Sequence, residues 1–175
     1  MATDKVNNVN LEALGKSVEA ARADESKARR TQRIEGVWSL DPNEPQFAAE
    51  ISFDGRTARV EADQPTWLGG GGSRPGPVQY ALFGLASCFT ATFATVCAQS
   101  GIALGGVRTT AEFDINFAKS FGLADLPVVE EVRLRLAVES SAPRGNLEAA
   151  IREAEARCPA SYCLTVPIRL AAALA

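Results

Sequence analysis

The sequence contains one long stretch without a charged residue, from Pro75 to Val107. Soluble proteins rarely leave such a stretch on their surface, because charged side chains usually cover the exposed faces of helices. The stretch therefore predicts either a membrane span or a helix buried at the centre of the fold. Because it also carries Cys88, its placement decides where thiol chemistry can occur in this chain.

Several features favour a buried helix over a membrane span. The stretch is rich in serine, threonine, glycine and alanine, and no lysine or arginine cluster flanks it as an orientation signal. We expect the helix to begin at Pro77 and to end near Gly101, and we expect no membrane partner. A helix with so little charge needs cover on most sides, which favours contact with a second subunit. Its larger apolar residues recur at helical spacing: Val78, Leu82, Leu85, Phe89, Phe93 and Val96.

The flanking segments alternate between apolar and polar residues, which is typical of strands with one buried face. Asp54-Gly55 joins two such runs, Phe47–Phe53 and Arg56–Ala62, and predicts a hairpin with a type I′ turn. The order of elements predicts an α+β fold with an antiparallel sheet covered by helices. Further strands are expected over 33–40, 107–117, 128–138 and 163–170, and helices over 10–32 and 147–157.

Length and charge limit the organisation of the chain and its partners. The 175 residues suit one domain, which we place over 33–175, preceded by a polar helical extension over 1–32. The net charge of −3 argues against a nucleic-acid partner. The N-terminal sequence lacks the pattern of a signal peptide, so we expect a cytoplasmic protein with reduced cysteines.

The chain has no histidine, which excludes Ser–His and Cys–His catalysis within one chain and zinc sites with imidazole ligands. A four-cysteine zinc site is not expected, because Cys88 and Cys97 lie nine residues apart, half a turn out of phase on the predicted helix. The glycine-rich segment 69–76 matches no phosphate-binding loop and predicts a flexible loop. The paired glutamates, such as Glu130-Glu131 and Glu153 with Glu155, are expected on solvent-exposed faces.

Cys88 and Cys158 are the candidates for redox chemistry. Cys158 precedes Pro159, which favours an extended conformation, and its place at the end of a predicted helix is expected to raise its thiol pKa. It therefore suits a resolving thiol, whereas Cys88 lies in mid-helix and needs a nearby cation to become the attacking thiolate. Free cysteines also serve as small buried apolar residues. We favour that role for Cys97 and Cys163, and it stays open for the other two.

Two segments of the sequence resemble the OsmC-like family, which includes the organic hydroperoxide resistance proteins. GPVQYALFGLASCFTATFATVCAQSGI resembles the first cysteine helix of the family, and CPASYCLTVPI resembles its second cysteine motif. The order of predicted elements agrees with the family over 33–170. The resemblance implies an OsmC-like fold and an intertwined homodimer, in which the sheets wrap around two central cysteine helices.

The resemblance also implies a reaction. In the peroxidase members of the family, the first cysteine reduces an organic hydroperoxide and becomes a sulfenic acid. The second cysteine closes a disulfide, which a dithiol reductant reopens. By this resemblance Cys88 is the nucleophile, Cys158 is the resolving thiol, and no metal or bound cofactor is needed.

One departure from the family pattern concerns the activation of the nucleophile. Peroxidase members carry a glutamate about three helical turns before the first cysteine, held against an arginine. Here Val78 or Gln79 stands at that place. We expect Gln79 to act as a neutral hydrogen-bond partner and Arg74 to supply the cation, unless Arg74 is a solvated loop residue. Arg33 and Arg56 are further candidates for the cation. The missing glutamate leaves an alternative function open, which is binding of a small hydrophobic ligand without peroxidase activity.

Overall fold

The computed structural model describes residues 5–174. The chain forms two compact units. One unit contains the chain up to Gly15 together with the chain from Leu82 onwards, and the other contains Lys16–Ala81. The chain contains both helices and antiparallel sheets, so the predicted α+β class is confirmed.

The polar N-terminal segment forms helix α1, Leu11–Ala23. The side-chain oxygen of Asn10 accepts a hydrogen bond from the backbone N–H of Ala13 at 3.0 Å, which satisfies one of the free donors at the start of the helix. None of the α1 residues is buried, in agreement with the predicted polar helix. The helix is shorter than expected, because Asp24 caps a separate 3₁₀ turn, Glu25–Ala28.

The unit Lys16–Ala81 is built on a three-stranded antiparallel sheet in the order β1-β2-β3. Its strands are β1 (Glu35–Trp38), β2 (Phe47–Phe53) and β3 (Arg56–Ala62). The predicted hairpin between β2 and β3 is confirmed, and its turn residues Asp54 and Gly55 have φ values of 44° and 71°. Positive φ at both central positions is what a type I′ turn requires.

Helix α2, Pro77–Gln99, is the long central helix predicted from the uncharged stretch. Pro77 occupies its first position, and Gly101 follows its end with a φ of 69°. By length and composition alone, α2 could cross a membrane, with a mean hydropathy of 1.7. The core helix of a soluble protein meets the same criteria, and a third of the most apolar window of α2 is buried inside the fold.

The two faces of α2 have different surroundings. Phe83 is 70% exposed and Gly84 and Ser87 are exposed, so one face of the helix lacks cover within a single chain. The opposite face supplies the buried residues of the helix, which are Leu85, Phe89, Phe93, Val96, Cys97 and Ala98.

The segment before α1 secures the end of α2. The side-chain amide of Asn7 donates to the backbone oxygen of Ile102 at 2.8 Å, and its carbonyl oxygen accepts from the N–H of Leu104 at 2.9 Å. These bonds satisfy backbone groups in the irregular chain that leads from α2 to the next strand. Nothing in the sequence pattern had indicated this contact.

A second antiparallel sheet consists of β4 (Gly106–Glu112) and β5 (Arg133–Glu139). Both strands are shorter than the predicted runs 107–117 and 128–138, and the pairing ends at Glu112 and Arg133. The guanidinium of Arg133 binds Glu112, Asp114 and Glu131, which ties the long connecting loop to the sheet edge.

Helix α3, Arg144–Arg157, completes the core of this unit. Its Ala150 and Ala154 lie in one cluster with Phe93, Cys97 and Cys158 of the same unit. The apolar face of the β4–β5 sheet packs against this cluster through Val107, Leu134, Leu136 and Val138. Complete burial of a side chain such as Phe93 contributes about 1.5–3 kcal/mol, so this cluster holds α2, α3 and the sheet together.

The last predicted element is wrong. Instead of a strand over 163–170, the chain forms a short helix α4, Pro159–Thr165, followed by residues without regular structure. Pro159 takes the first helical position, where its missing N–H is not needed and its fixed φ favours the helix. The alternating apolar residues from Leu164 onwards had indicated a strand, but they find no neighbouring strand to pair with in the part of the chain described.

Candidate active site

The two candidate redox cysteines meet in the structure. Cys88 lies in α2, and Cys158 lies at the junction between α3 and α4. Their Sγ atoms are 3.6 Å apart, and both thiols are free. Because a disulfide needs an S–S distance of about 2.0 Å, a side-chain movement of one or two ångströms suffices to join them. The arrangement can therefore undergo reversible oxidation of two thiols.

The junction between α3 and α4 fixes the position of Cys158. Its backbone N–H donates to the oxygen of Ala154 at 2.8 Å, and its φ and ψ of −74° and 120° are extended. Pro159 requires this extended conformation of the preceding residue. Cys158 is completely buried, whereas Cys88 is half-buried. The sequence had correctly predicted the extended conformation but not the helix that follows.

The two thiols differ in their acidity. Burial raises the pKa of Cys88, and its contact with Cys158 raises it further. Burial also raises the pKa of Cys158, but hydrogen bonds from the N–H and hydroxyl of Ser161, and from Cys88, outweigh this effect and lower its pKa. Within one chain, Cys158 is the thiol more readily deprotonated.

The expectation that a helix end raises the pKa of Cys158 is therefore wrong. It considered only α3, whose C-terminal end carries negative potential. Because α4 begins at Pro159, Cys158 also lies at the N-terminus of a helix, where N–H groups point toward its sulfur. The N–H groups of Ala160 and Ser161 both lower its pKa.

Ser161 is the residue near the thiols that sequence reasoning missed. It is 5% exposed, one of the few buried polar residues in the described chain. Its hydroxyl and its N–H both stabilise the thiolate form of Cys158. Its spacing of three residues from Cys158 is that of an N-cap residue and its N3 partner, which could have indicated the interaction once α4 was recognised.

The predicted cation and its partner have their own contacts in the unit Lys16–Ala81. The Nε of Arg74 donates to Glu61 at 2.7 Å, and Glu61 also binds Arg59 at 2.8 Å. The side-chain oxygen of Gln79 accepts from the N–H of Gly76 at 2.7 Å, which caps the start of α2. Thus a carboxylate that the sequence analysis had not singled out holds Arg74, and the role of Arg74 and Gln79 toward Cys88 stays a prediction.

The two further arginines are also engaged. Arg33 forms an ion pair with Glu35, and the guanidinium of Arg56 lies 4.8 Å from the centre of the Phe53 ring. Both sites are on the surface of the three-stranded sheet.

The glycine-rich loop before α2 is held by one buried carboxylate. Asp63 is 3% exposed, and its Oδ2 accepts hydrogen bonds from the N–H and the hydroxyl of Ser73 at 2.9 and 2.8 Å. Its Oδ1 accepts from the N–H of Gly71 at 3.3 Å. Hydrogen bonds from the N–H and hydroxyl of Ser73 lower the pKa of Asp63. The loop that was expected to be flexible therefore has a fixed anchor.

A cavity of about 570 Å³ lies beside the cysteine pair in the unit that contains α3. Leu85 and Phe89 of α2 form part of its wall, together with Ser161 and Leu164 of α4. Glu130, Glu131 and Glu155 also line it. Its size is that of pockets that hold small organic molecules. Within residues 5–174, no group of three or more His, Cys, Asp or Glu side chains is arranged to hold a metal ion.

Comparison with known proteins identifies the family. The model of the OsmC-like protein family matches residues 70–172, which include both Cys88 and Cys158. A search of curated proteins gave no significant match.

Solved structures have the same fold at low sequence identity. An OsmC-like protein from Mycoplasma pneumoniae is 19% identical and superposes with a TM-score of 0.60, over 78% of this chain and 89% of the other. The organic hydroperoxide resistance protein OsmC from Legionella pneumophila is 20% identical, with a TM-score of 0.56 over 79% and 93%. An organic hydroperoxide resistance protein from Elizabethkingia anophelis is 18% identical, with a TM-score of 0.54 over 79% and 91%. With more than half of its length matched by the family model and its fold shared with these structures, the chain belongs to the OsmC-like protein family.

Proposed function

We propose that this protein is a thiol peroxidase that reduces organic hydroperoxides through Cys88 and Cys158. The observation that carries the proposal is the 3.6 Å separation of the two Sγ atoms, since it allows one thiol to resolve an oxidised form of the other. The OsmC-like family supports a role in the response to peroxides, because structural relatives from Legionella pneumophila and Elizabethkingia anophelis are organic hydroperoxide resistance proteins.

The proposed reaction has three steps. The Cys88 thiolate attacks the terminal oxygen of the hydroperoxide, the O–O bond breaks, and the alkoxide leaves and takes up a proton as the alcohol. The sulfur of Cys158 then attacks the sulfenic acid at Cys88, forming the disulfide and releasing water. A dithiol reductant finally supplies two electrons and two protons, which restores both thiols.

The half-buried Cys88 is the thiol that a hydroperoxide can reach, since Cys158 is completely buried. Because burial raises the pKa of Cys88, it needs a cation to become a thiolate at neutral pH. In this proposal Arg74 supplies that cation, with Gln79 as its neutral neighbour. The thiolate character of Cys158 assists the second step, in which it is the attacking group.

We further propose that the protein works as a cytoplasmic homodimer. Val37 and Trp38 of β1 are 71% and 55% exposed, and Phe83 of α2 is 70% exposed. Large exposed apolar side chains on a strand and on an uncharged helix face are typical of surfaces that a partner covers. Light scattering on the purified protein measures the mass directly, and a mass of one chain, 18.5 kDa, would contradict the dimer.

A second function is favoured by two observations. The raised pKa of Cys88 reduces its reactivity, and the cavity beside the thiols has mostly apolar walls. An OsmC-fold protein with these features but without peroxidase activity would bind a small hydrophobic ligand. The two functions differ in what happens to the thiols.

One experiment separates them. The reduced protein is treated with a stoichiometric amount of cumene hydroperoxide, and free thiols are counted after quenching. A peroxidase loses two of its four thiols per chain, and Cys88→Ser abolishes the loss. Cys163→Ser is the matched control, because Cys163 is exposed and is not one of the two paired cysteines. Unchanged thiols in the wild type would reject the peroxidase, and a ligand retained in native mass spectrometry would then support the binding function.

A further inference from the structure

We propose that the cavity beside the cysteine pair selects its substrate by charge, accepting uncharged hydroperoxides and excluding those that carry a carboxylate. The inference rests on the proposed peroxidase function and adds the class of substrate. Three exposed glutamates that line the cavity, Glu130, Glu131 and Glu155, supply the selection. We refer to these three residues as the acidic rim.

The walls of the cavity suit an apolar group. Leu134 and Leu136 of β5 face Leu85 and Phe89 of α2 across a space of about 570 Å³, and Ile151 of α3 adds to the apolar lining. A small aryl or alkyl group fits a space of this size, and its transfer from water to the apolar walls is favourable. The apolar part of a hydroperoxide is therefore the part that the walls recognise.

One lining residue links the cavity to the cysteine pair. Ser161 lines it and also hydrogen-bonds the Cys158 thiol. In α2, the wall residue Leu85 lies three positions before Cys88, so the two side chains share a side of the helix. In this proposal, a hydroperoxide with its apolar group in the cavity extends its reactive end toward the pair along the side formed by Leu85 and Ser161.

All the charged residues that line the cavity in the described chain are glutamates. Glu131 has a partner, since Arg133 Nη1 lies 3.4 Å from its carboxylate, but its side chain is 70% exposed. Neither Glu130 nor Glu155 forms an ion pair with any residue between 5 and 174. All three side chains are exposed, and their carboxylates give the rim an excess of negative charge.

The size of the effect follows from Coulomb's law. Three carboxylates about 7 Å from a substrate carboxylate, in a medium close to water, disfavour the anion about tenfold. An uncharged substrate is not affected. Because the rim is exposed to solvent, salt screens the repulsion, and the discrimination decreases as ionic strength rises.

The test compares two cumene hydroperoxides that carry a carboxyl group in the para position. In one the carboxyl group is a methyl ester and is uncharged, and in the other it is the free carboxylate. The rate of thiol loss is measured for each at low substrate concentration and low salt. We expect the neutral ester to react about tenfold faster than the anion, and the ratio to fall in high salt. Equal rates in the wild type would overturn the inference while leaving the peroxidase function intact.

Variants locate the effect. The rim variant Glu130→Gln/Glu131→Gln/Glu155→Gln is expected to bring the ratio of the two rates close to one. The control Glu139→Gln/Glu148→Gln/Glu153→Gln removes the same number of charges from residues of the same unit that do not line this cavity. The control is expected to keep the wild-type ratio. Since each ratio is taken within one protein, a general loss of activity cancels. A ratio unchanged in the rim variant, or lost equally in the control, would contradict the role of the rim.

A binding measurement separates failure of this inference from failure of the proposed function. If neither substrate consumes thiols, the peroxidase function fails, and the same pair is then tested as the unreactive alcohols by calorimetry. Tighter binding of the neutral alcohol, lost in the rim variant, supports the acidic rim. Equal binding, or no binding of either alcohol, rejects it.

Discussion

The Sγ atoms of Cys88 and Cys158 lie 3.6 Å apart although 70 positions separate the residues in the sequence. The contact depends on two local features. The uncharged helix α2 presents Cys88 to the core, and the Cys-Pro junction stops α3 and starts α4 at Cys158. The same junction lowers the pKa of the buried thiol, so the pair combines an accessible sulfur with a more acidic one.

Substitution of Ser161 by alanine is expected to raise the pKa of Cys158. The change removes a hydroxyl that donates to the thiolate, so the charged form of Cys158 loses one stabilising hydrogen bond. Thiolate absorbance is titrated in Cys88→Ser, with and without Ser161→Ala. Ser161→Thr keeps the hydroxyl and should preserve the lower value. An unchanged titration in Ser161→Ala would show that the backbone donors alone set the acidity.

The same pKa direction determines a dependence of stability on pH. Because the fold lowers the pKa of Cys158, this thiol stabilises the fold above its unfolded-state pKa of about 8.5. The contribution is lost as the pH falls through the lower folded-state value. The unfolding temperatures of the reduced wild type and of Cys158→Ser should therefore differ more as the pH rises across this range. Parallel curves would contradict the lowered pKa.

Arg74 is expected to control the reactivity of Cys88. Arg74→Gln removes the guanidinium that the proposal assigns to the activation of Cys88, so the pKa of Cys88 should rise. The readout is the rate of alkylation in Cys158→Ser/Cys163→Ser as a function of pH. Arg29→Gln removes an exposed cation paired with Glu25 and is the matched control. Identical pH profiles for the two variants would exclude Arg74 as the cation.

Cys163 should be the first thiol to react with an alkylating reagent in the reduced native protein. It is exposed in α4, whereas Cys97 and Cys158 are completely buried. Timed labelling followed by peptide mass spectrometry is expected to show a fast phase at Cys163, and no labelling of Cys97 before unfolding. Cys163→Ser should abolish the fast phase. Persistence of that phase would indicate that Cys88 is the most reactive thiol.

Asn7→Ala is expected to destabilise the protein by about 1–3 kcal/mol, because it leaves the oxygen of Ile102 and the N–H of Leu104 without their partner. Hydrogen exchange at the Leu104 amide should accelerate more than exchange within β4. The control is Asn8→Ala, which changes the neighbouring exposed asparagine. Equal effects of the two substitutions would contradict the anchoring role of Asn7.

Asp63 should anchor its loop only in the ionised form. Hydrogen bonds from Ser73 lower the pKa of Asp63, so its contribution to stability is present above the unfolded-state value of about 3.9 and is lost as the pH falls through the folded value. Asp63→Ala is expected to lower the unfolding temperature by several degrees at neutral pH, and the difference should disappear in acid. Circular dichroism measures the unfolding temperature of the wild type and of Asp63→Ala at each pH. A difference that does not change with pH would contradict the ionic anchor.

Elements with strong local signals could be predicted from the sequence. The Asp54-Gly55 turn is determined by residues that tolerate positive φ, and the ends of α2 by Pro77 and Gly101. These signals act within a few residues of the chain. The pairing of Cys88 with Cys158 could be predicted because both are thiols and because the segments that contain them resemble the cysteine motifs of the family.

Features that depend on tertiary contacts could not be predicted in the same way. The strand expected over 163–170 required a neighbour that the described chain does not provide, and the short-range preference of Pro159 for the first turn of a helix prevailed. For the same reason Cys163, expected to be a buried apolar residue, is exposed. Glu155 joins Glu130 and Glu131 only because α3 packs beside the β4–β5 sheet.

The position of the two sulfurs along the chain has a consequence for chain entropy. A bond between Cys88 and Cys158 encloses a loop of 70 residues and restricts the unfolded ensemble. In the loop-closure description, a cross-link of this span stabilises a protein by about 4 kcal/mol. A chain oxidised at this pair would consequently unfold at a higher temperature than the reduced chain, so thermal unfolding would report the fraction of chains that hold the disulfide.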